Sequence, residues 1–355
     1  MRALIAAGGK GTRLRPITTT QNKHEIPLAN VSMIERAVEK VVEAGITEIF
    51  ISINEGETSI QSILGDGESK GVSISYIEQT GGALGVAHVL RNARDYLEGD
   101  DVLFYLGDNI IFGEIKPFLD QFYAHNYNCL LALARVNNPQ RFGVPVIENG
   151  QIIEVQEKPN NPPSPYAVAG IYVYDNHIFD VLDELEMSDR GEFEISDAHT
   201  QLIHLGYSIG YEEITGWWKD TGKPEDLLEG NGLILSRITS DIQGTVEKDV
   251  SIQGAVRIAA GAQITGNSVI RGPVVIGEDT HIHNAYIGPY TSVGKEVFIT
   301  EAEIEQSIIM NNSHIEVDTR IVDSLIGHKT RITNRAQTFP KGHHVILGDN
   351  SHVEL

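Results

Sequence analysis

The sequence predicts an α/β chain in which a doubly wound, mostly parallel sheet is followed by a parallel β-helix, and three observations carry that expectation. Short β-rich runs alternate with amphipathic helical runs over residues 1 to about 135, the rhythm of repeated βαβ units. A glycine-rich loop directly follows the first of these runs, at the carboxyl end of a strand, where such sheets bind ligands. From Ile252 an aliphatic residue recurs at every sixth position, through Ile258, Ile264, Ile270, Ile276 and Ile282. A period of six is neither helical nor strand-alternating; it marks short faces stacked in a coil, each turning one aliphatic side chain inward.

Taken in order, the first strand covers residues 2–7. Ser32-Met33-Ile34-Glu35 reads as a capping box, opening a helix that carries Ala37, Val38, Val41 and Val42 at helical spacing and stops at Gly45. Further strands are expected at 48–53, 72–77, 102–106 and 129–136, and helices at 59–64, 85–96 and 116–125. The composition changes after about Ser236, so the expected division is a sheet domain over 1–238 and a β-helix over 239–355. The aliphatic series continues with shifts of phase through Val293, Ile299, Ile309, Ile315, Ile321 and Ile332. Turns are expected at Gly254, Gly261, Gly266, Gly272, Gly277, Gly288, Gly294 and Gly327, giving about five coils of three faces.

The chain of 355 residues sets 27 Lys and Arg against 49 Asp and Glu, a net charge of −22, which excludes a nucleic-acid binder that works through a globally basic surface. Hydrophobic residues make up 41%, enough for a sizeable core. Nowhere do 18 uncharged apolar residues follow one another, so no membrane span is expected. The single Cys129, in an apolar run, excludes an intrachain disulfide and reads as a buried structural thiol, which points to the cytoplasm.

The loop is Gly8-Gly9-Lys10-Gly11-Thr12-Arg13-Leu14-Arg15-Pro16. Gly11 stands where a Walker A loop has Ser or Thr, and the third glycine of a dinucleotide fingerprint is missing. Three glycines still allow peptide N–H groups to approach phosphate oxygens. Lys10, Arg13, Arg15 and Lys23 place four positive charges in fourteen residues without an acid, an island suited to a polyanion in so acidic a chain. The plainer alternative is a solvated basic turn.

Followed by Lys23, this loop resembles the signature of the sugar-1-phosphate nucleotidyltransferases. Leu106-Gly107-Asp108-Asn109, Glu157-Lys158-Pro159 and Trp218-Lys219-Asp220-Thr221-Gly222 match the family's later motifs in order. With Arg190-Gly191-Glu192-Phe193-Glu194-Ile195-Ser196-Asp197, Gly288-Pro289-Tyr290-Thr291-Ser292 and the hexapeptide tail, the resemblance covers the whole chain and is greatest to the family's long members, which join glucose-1-phosphate to dTTP. It implies a Rossmann-like nucleotidyltransferase sheet, a left-handed coil and Mg2+. The implied reaction is attack of a sugar-1-phosphate oxygen on the α-phosphorus of a nucleoside triphosphate, with release of pyrophosphate. By the same resemblance Gly8, Gly9, Gly11, Thr12 and Arg13 would hold the nucleotide, and Gln79 and Gly85 would meet its base. Arg13 and Lys23 would stabilise the leaving pyrophosphate, Asp108 and Asp220 would hold the metal, and Gly143, Glu157, Lys158 and Gly170 would hold the sugar phosphate. Val31-Ser32 departs from the family's usual Lys-Pro, and Gly81-Gly82 from a usual proline. UTP in place of dTTP, a hexapeptide-repeat acyltransferase using His281, His283, His314 or His328, and a non-catalytic regulatory homologue remain open. All motifs assigned to chemistry lie at or before Asp220, so the coils are expected to serve homo-oligomer formation; neither nucleic acid nor membrane is an expected partner.

Overall fold

The computed structural model describes residues 1–9 and 11–334. The chain forms two compact units. The first takes in residues 1–9, Asn22–Glu25 and Met33–Asp220; the second takes in Gly11–Gln21, Ile26–Ser32 and the chain from Thr221 onward.

The first unit is built on eleven strands: β1 (Arg2–Ala6), β2 (Glu48–Asn54), β3 (Ser73–Gln79), β4 (Val102–Leu106), β5 (Asn109–Ile111), β6 (Cys129–Arg135), β7 (Gly143–Glu148), β8 (Gln151–Glu157), β9 (Tyr166–Tyr174), β10 (Ile209–Glu213) and β11 (Trp218–Asp220). Seven form one sheet in the order β10-β6-β9-β4-β1-β2-β3, parallel throughout except for β9, which runs against both β4 and β6. The chain winds outward from β1 to β3 and then crosses to β4 on the other side, so the β1/β4 boundary is the switch point at which doubly wound sheets bind ligands. The inner strands β1, β4, β6 and β9 are near-continuous apolar runs because both faces are covered. One face packs on α1 (Met33–Glu43), α2 (Ser59–Leu64) and α5 (Lys116–His125) through Val38, Val41, Ile60 and Phe118. The other packs on α3 (Val86–Asn92), α6 (His177–Leu182) and α7 (Ile195–His204) through Leu90, Phe179 and Leu202.

The predicted strands and helices up to β6 are present, with one break: the helix expected over 85–96 divides at Ala93 into α3 and α4 (Arg94–Leu97). Gly45, with φ at 87°, ends α1 in the left-handed region that a Cβ disfavours. Cys129 is fully buried in β6, and burial pushes its thiol pKa well up, as suits a structural residue.

Among the described residues the second unit is a parallel β-helix of three sheets with six, six and five strands, running from Asp241 to Thr333 and fitting the left-handed form. It makes more than five turns, because a coil begins at Asp241, before the regular isoleucine series. The inward rows read Ile258↔Ile276↔Val293, Ile264↔Ile282↔Ile299 and Ile252↔Ile270↔Ile287. Ile287, Ile304 and Ile326 fill positions that the shifts of phase hide from the sequence series. Only Gly254, Gly261 and Gly266 of the expected turn glycines have left-handed φ; later coils place Asp279, Asn284, Glu296 and Asn312 in that conformation. Gly277 is needed for a different reason: a Cβ there would lie 2.5 Å from the Gly294 backbone of the next coil. Within this unit α8 (Pro224–Leu235) and an antiparallel hairpin, Pro27–Leu28 with Val31–Ser32, pack with the coil strand Thr291–Val293. Residues 335–355 of the expected β-helix lie outside the described residues. Among the described residues no helix is long and apolar enough to cross a membrane.

Candidate active site

The centre of the site forms where β1 and β4 end. Gly107 donates its N–H to the Ala6 carbonyl at 3.0 Å. A Cβ at Gly107 would sit 2.9 Å from that same oxygen, so glycine keeps the two strand ends together. Asp108 follows at once. β5 and β11 then pair antiparallel with Asp220 opposite Asn109, which brings Asp220 to the residue beside Asp108 although the two lie far apart in sequence.

Lys23 places Nζ 2.5 Å from Asp108 Oδ2, and Asn109 Nδ2 donates to Asp108 Oδ1 at 2.9 Å. Burial alone would raise the Asp108 pKa, but the Lys23 charge, the neighbouring His24 and the Lys23 hydrogen bond outweigh it and hold the carboxyl well below its usual range. His24 is buried, and desolvation lowers its imidazole pKa to about 4 against the pull of Asp108, so the ring is neutral at pH 7. Asn22 ties this segment to β1: its Oδ1 accepts from His24 N at 2.9 Å, while Nδ2 donates to the Ala7 carbonyl and to Glu57 Oε2, each at 2.9 Å.

On one side lies Gln79, the last residue of β3 and buried. A Cβ on Gly8 would lie 2.7 Å from its Oε1, so Gly8 makes room for the glutamine side chain. Gly85, with φ at 105°, is pressed against the chain at Phe193: a Cβ would lie 2.5 Å from the Phe193 carbonyl, and Phe193 N donates to the Leu84 carbonyl at 2.7 Å.

On the other side Glu157 ends β8 opposite Gly143 in β7. Its Oε1 takes Lys158 Nζ at 2.9 Å and Arg190 Nη1 at 3.2 Å, and its Oε2 accepts from Ser196 Oγ at 2.8 Å. Burial favours the protonated acid, but Lys158, Ser196 and Arg190 reverse that, and the Glu157 pKa lies below its ordinary value. A Cβ on Gly143 would strike Ser196 Oγ at 2.7 Å. The two sides are linked by Trp218, whose indole N–H reaches Asn109 Oδ1 at 2.7 Å and the Ala169 carbonyl at 3.0 Å, with its ring 5.3 Å from that of Phe142. Gly170 follows with φ at 66°, and a Cβ there would meet Asn109 Nδ2 at 2.8 Å. The buried phenol of Tyr172, its pKa raised first by desolvation, also feels both Glu157 and Asp108.

The structure thus gathers Gly8, Gly9, Lys23, Gln79, Gly85, Asp108, Gly143, Glu157, Lys158, Gly170 and Asp220 on the first unit. The space beside Gly85, Gly143 and Gly170 is taken by protein atoms, which by itself accounts for glycine there. Gly11, Thr12 and Arg13 belong to the second unit, where the Gly11 carbonyl accepts from Leu14 N at 2.9 Å and from Thr18 Oγ1 at 2.7 Å, and Arg13 is exposed. Lys10 lies outside the described residues. Of the four positive charges expected to form an island, Lys23 is buried and ion-paired with Asp108. Sequence reasoning gave no roles to Asn22, Asn109, Arg190, Ser196 and Trp218. The motif runs around 109, 190–197 and 218 contained all but Asn22, but nothing in them announced the contacts. Among the described residues no group of three or more His, Cys, Asp or Glu is placed to hold a metal. The β5/β11 register does bring Asp220 opposite Asn109, next in sequence to Asp108, and two carboxylates are a donor set that Mg2+ commonly takes, completing its shell with waters and substrate phosphates.

Comparison with known proteins follows the same lines. A family model described as nucleotidyl transferase matches residues 2–237, and one described as GMPPB C-terminal domain matches residues 270–354. The low-salt glycan biosynthesis nucleotidyltransferase Agl11 of Haloferax volcanii is 41% identical over 358 residues, covering 100% of both chains. A glucose-1-phosphate thymidylyltransferase of Streptomyces griseus is 37% identical over 100% of this chain and 99% of its own. Among solved structures, a putative glucose-1-phosphate thymidylyltransferase from Bacillus anthracis aligns with a TM-score of 0.62 at 40% identity, covering 66% of this chain and 94% of that one.

Proposed function

Since the chain belongs to the nucleotidyl transferase family, we propose that it joins glucose-1-phosphate to dTTP, giving dTDP-glucose and pyrophosphate. The observation that carries this reading is the β5/β11 pairing, which sets Asp220 opposite Asn109, the residue after Asp108, at the switch point of the sheet with Lys23 against Asp108. An oxygen of the sugar phosphate attacks the α-phosphorus in line, and the bond to the bridging oxygen of the leaving pyrophosphate breaks. Both reactants are anions, so the work of the protein is positioning and charge stabilisation.

In this reading Asp108 and Asp220 hold Mg2+, which supplies charge neutralisation on the reacting phosphates. Lys23 keeps Asp108 ionised and offers an ammonium to departing pyrophosphate; Gly8, Gly9, Gly11, Thr12 and Arg13 are assigned to the triphosphate by sequence resemblance. Gln79, a buried amide at the end of β3, reads the pyrimidine edge beside Gly85. Glu157, held ionised and fixed by Ser196 and Arg190, accepts from sugar hydroxyls, and half-exposed Lys158 takes the sugar phosphate beside Gly143 and Gly170. The coil provides a surface for self-association, and the protein works in the cytoplasm.

The test is pyrophosphate release by purified protein with Mg2+ against a grid of nucleoside triphosphates and sugar-1-phosphates. The expected result is the highest kcat/KM with dTTP and glucose-1-phosphate. Higher kcat/KM with UTP would replace the base assignment, since one methyl group contributes only about 1–3 kcal/mol of discrimination. No release with any pair would overturn the reading.

A further inference from the structure

Lys23 sits in a single 3-10 turn, Lys23–Glu25, and one turn of three residues is too short to hold its own place. The turn closes at Asn22, whose carbonyl accepts from Glu25 N at 3.1 Å and whose N–H donates to Glu25 Oε1 at 3.3 Å. What fixes it to the sheet lies at the ends of two neighbouring strands. The side-chain amide of Asn22 has two hydrogens, and both leave the turn: one goes to the Ala7 carbonyl just beyond β1, the other to Glu57 Oε2.

Glu57 lies in the connection from β2 to α2 and is itself held to β2. Its N–H donates to the carbonyl of Asn54, the last residue of that strand, at 3.1 Å, across a turn in which Gly56 takes a φ of 73°. Asn54 Nδ2 donates to Glu57 Oε2 at 2.9 Å, so that one oxygen receives two amides. The other oxygen accepts from Ser59 Oγ at 3.1 Å, and Ser59, the first residue of α2, also reaches Glu25 Oε1. The residues that flank Lys23 are thus tied to one side chain, Asn22 directly and Glu25 through Ser59. All of these groups belong to the first unit.

We propose that Glu57 is the positioning residue for Lys23. This rests on the reading of Lys23 as the group that meets departing pyrophosphate. β1 lies between β2 and β4, so a lysine fastened to the ends of β1 and β2 is delivered to Asp108 at the end of β4. Glu57 acts through Asn22 and Ser59, by hydrogen-bond geometry and not by its charge. A misplacement of about 1 Å in a positioned group is enough to cost up to 100-fold in rate.

The experiment compares the full-length protein with Glu57→Ala, Glu57→Gln, Ser59→Ala and Ser62→Ala by amide hydrogen exchange and steady-state kinetics. In Glu57→Ala, exchange over residues 22–25 should be about tenfold faster with β1 and β4 unchanged, and kcat should fall about tenfold while KM for both substrates stays within about twofold. Glu57→Gln keeps an oxygen for the two asparagine amides and turns its NH2 to Ser59 Oγ, whose hydrogen then serves Glu25, so it should stay within about threefold of the parent in both readouts. Ser59→Ala is the safeguard against misfolding, because a helix accepts alanine readily; it cuts the Glu25 tie alone and should move both readouts the same way by less. Ser62→Ala, exposed on the same helix, should match the parent. Unchanged exchange over 22–25 in Glu57→Ala and Ser59→Ala overturns the proposal, as does a kcat loss in Glu57→Gln equal to that in Glu57→Ala. If Glu57→Ala does not fold, Ser59→Ala decides by the same two readouts. If the parent transfers no nucleotide, the functional reading fails and exchange over 22–25 alone decides this one.

Discussion

The Lys23–Asp108 pair allows catalysis and stability to be separated in one thermodynamic cycle. The Lys23 side chain is 8% exposed and the Asp108 side chain 23%. Asp108→Asn removes the charge that faces a nearly buried ammonium at almost constant shape, and stranding a buried charge costs about 3–5 kcal/mol. Asp108 is partly open to water, so the figure expected is the lower end, about 3 kcal/mol. Lys23→Met leaves a carboxylate that can rehydrate and still accepts from Asn109 Nδ2, so the loss should be smaller, about 1–2 kcal/mol. The double variant strands neither charge and should regain most of the difference, giving a coupling of about 2 kcal/mol, within the range for residues in direct contact. Urea unfolding followed by Trp fluorescence and far-UV circular dichroism measures the three losses, while nucleotidyl transfer should be lost in all three variants. Strictly additive losses, with coupling below about 0.5 kcal/mol, would refute the argument that each residue is needed to make the other's burial tolerable.

Lys158→Ala should raise KM for sugar-1-phosphate at least tenfold and leave KM for the nucleotide unchanged in initial-rate kinetics; because Lys158 is 43% exposed, the melting temperature should hold. Gly170→Ala puts a Cβ 2.8 Å from Asn109 Nδ2 at a left-handed φ that alone costs about 1–2 kcal/mol, so thermal unfolding should show clear destabilisation together with a shifted Trp218 emission. Desolvation lowers the His199 pKa to about 3 from 6.5, so between those values the unfolded chain binds the extra proton. Stability should fall as pH drops through that window, by up to about 1.4 kcal/mol per pH unit, and His199→Gln should flatten the acid slope measured by urea titration. Phe298, 46% exposed on a coil face and stacked with His281 at 5.0 Å, is the residue to test for self-association: Phe298→Asp should reduce the assembly mass measured by light scattering.

What could be read from the sequence follows how local each interaction is. The inward isoleucines of the coil were legible because one pleated face repeats the same geometry six residues on, and the βαβ elements up to β6 because their apolar runs match their own burial. The rows blur at Ile287, Ile304 and Ile326, where corners become a residue shorter and the count loses phase. Glycine was an incomplete marker of those corners, because a stacked coil holds Asp279 or Asn284 in left-handed φ through its neighbours. The sheet beyond β6 was not legible at all: β9 enters between β4 and β6 against their direction, a choice made by tertiary pairing. At the site the same distinction decides each residue. Asp108 and Asp220 could be picked out one at a time by resemblance, but their partnership exists only through three paired residues of β5 and β11. Glu157 was visible as a motif, whereas the Arg190 and Ser196 that hold it come from a segment more than thirty residues later. Lys23 was counted with three other cations because charge was summed along the chain, yet a buried cation paired with a carboxylate contributes no free charge to its loop. In the proposed reading, Lys23 therefore acts first by fixing the state of Asp108.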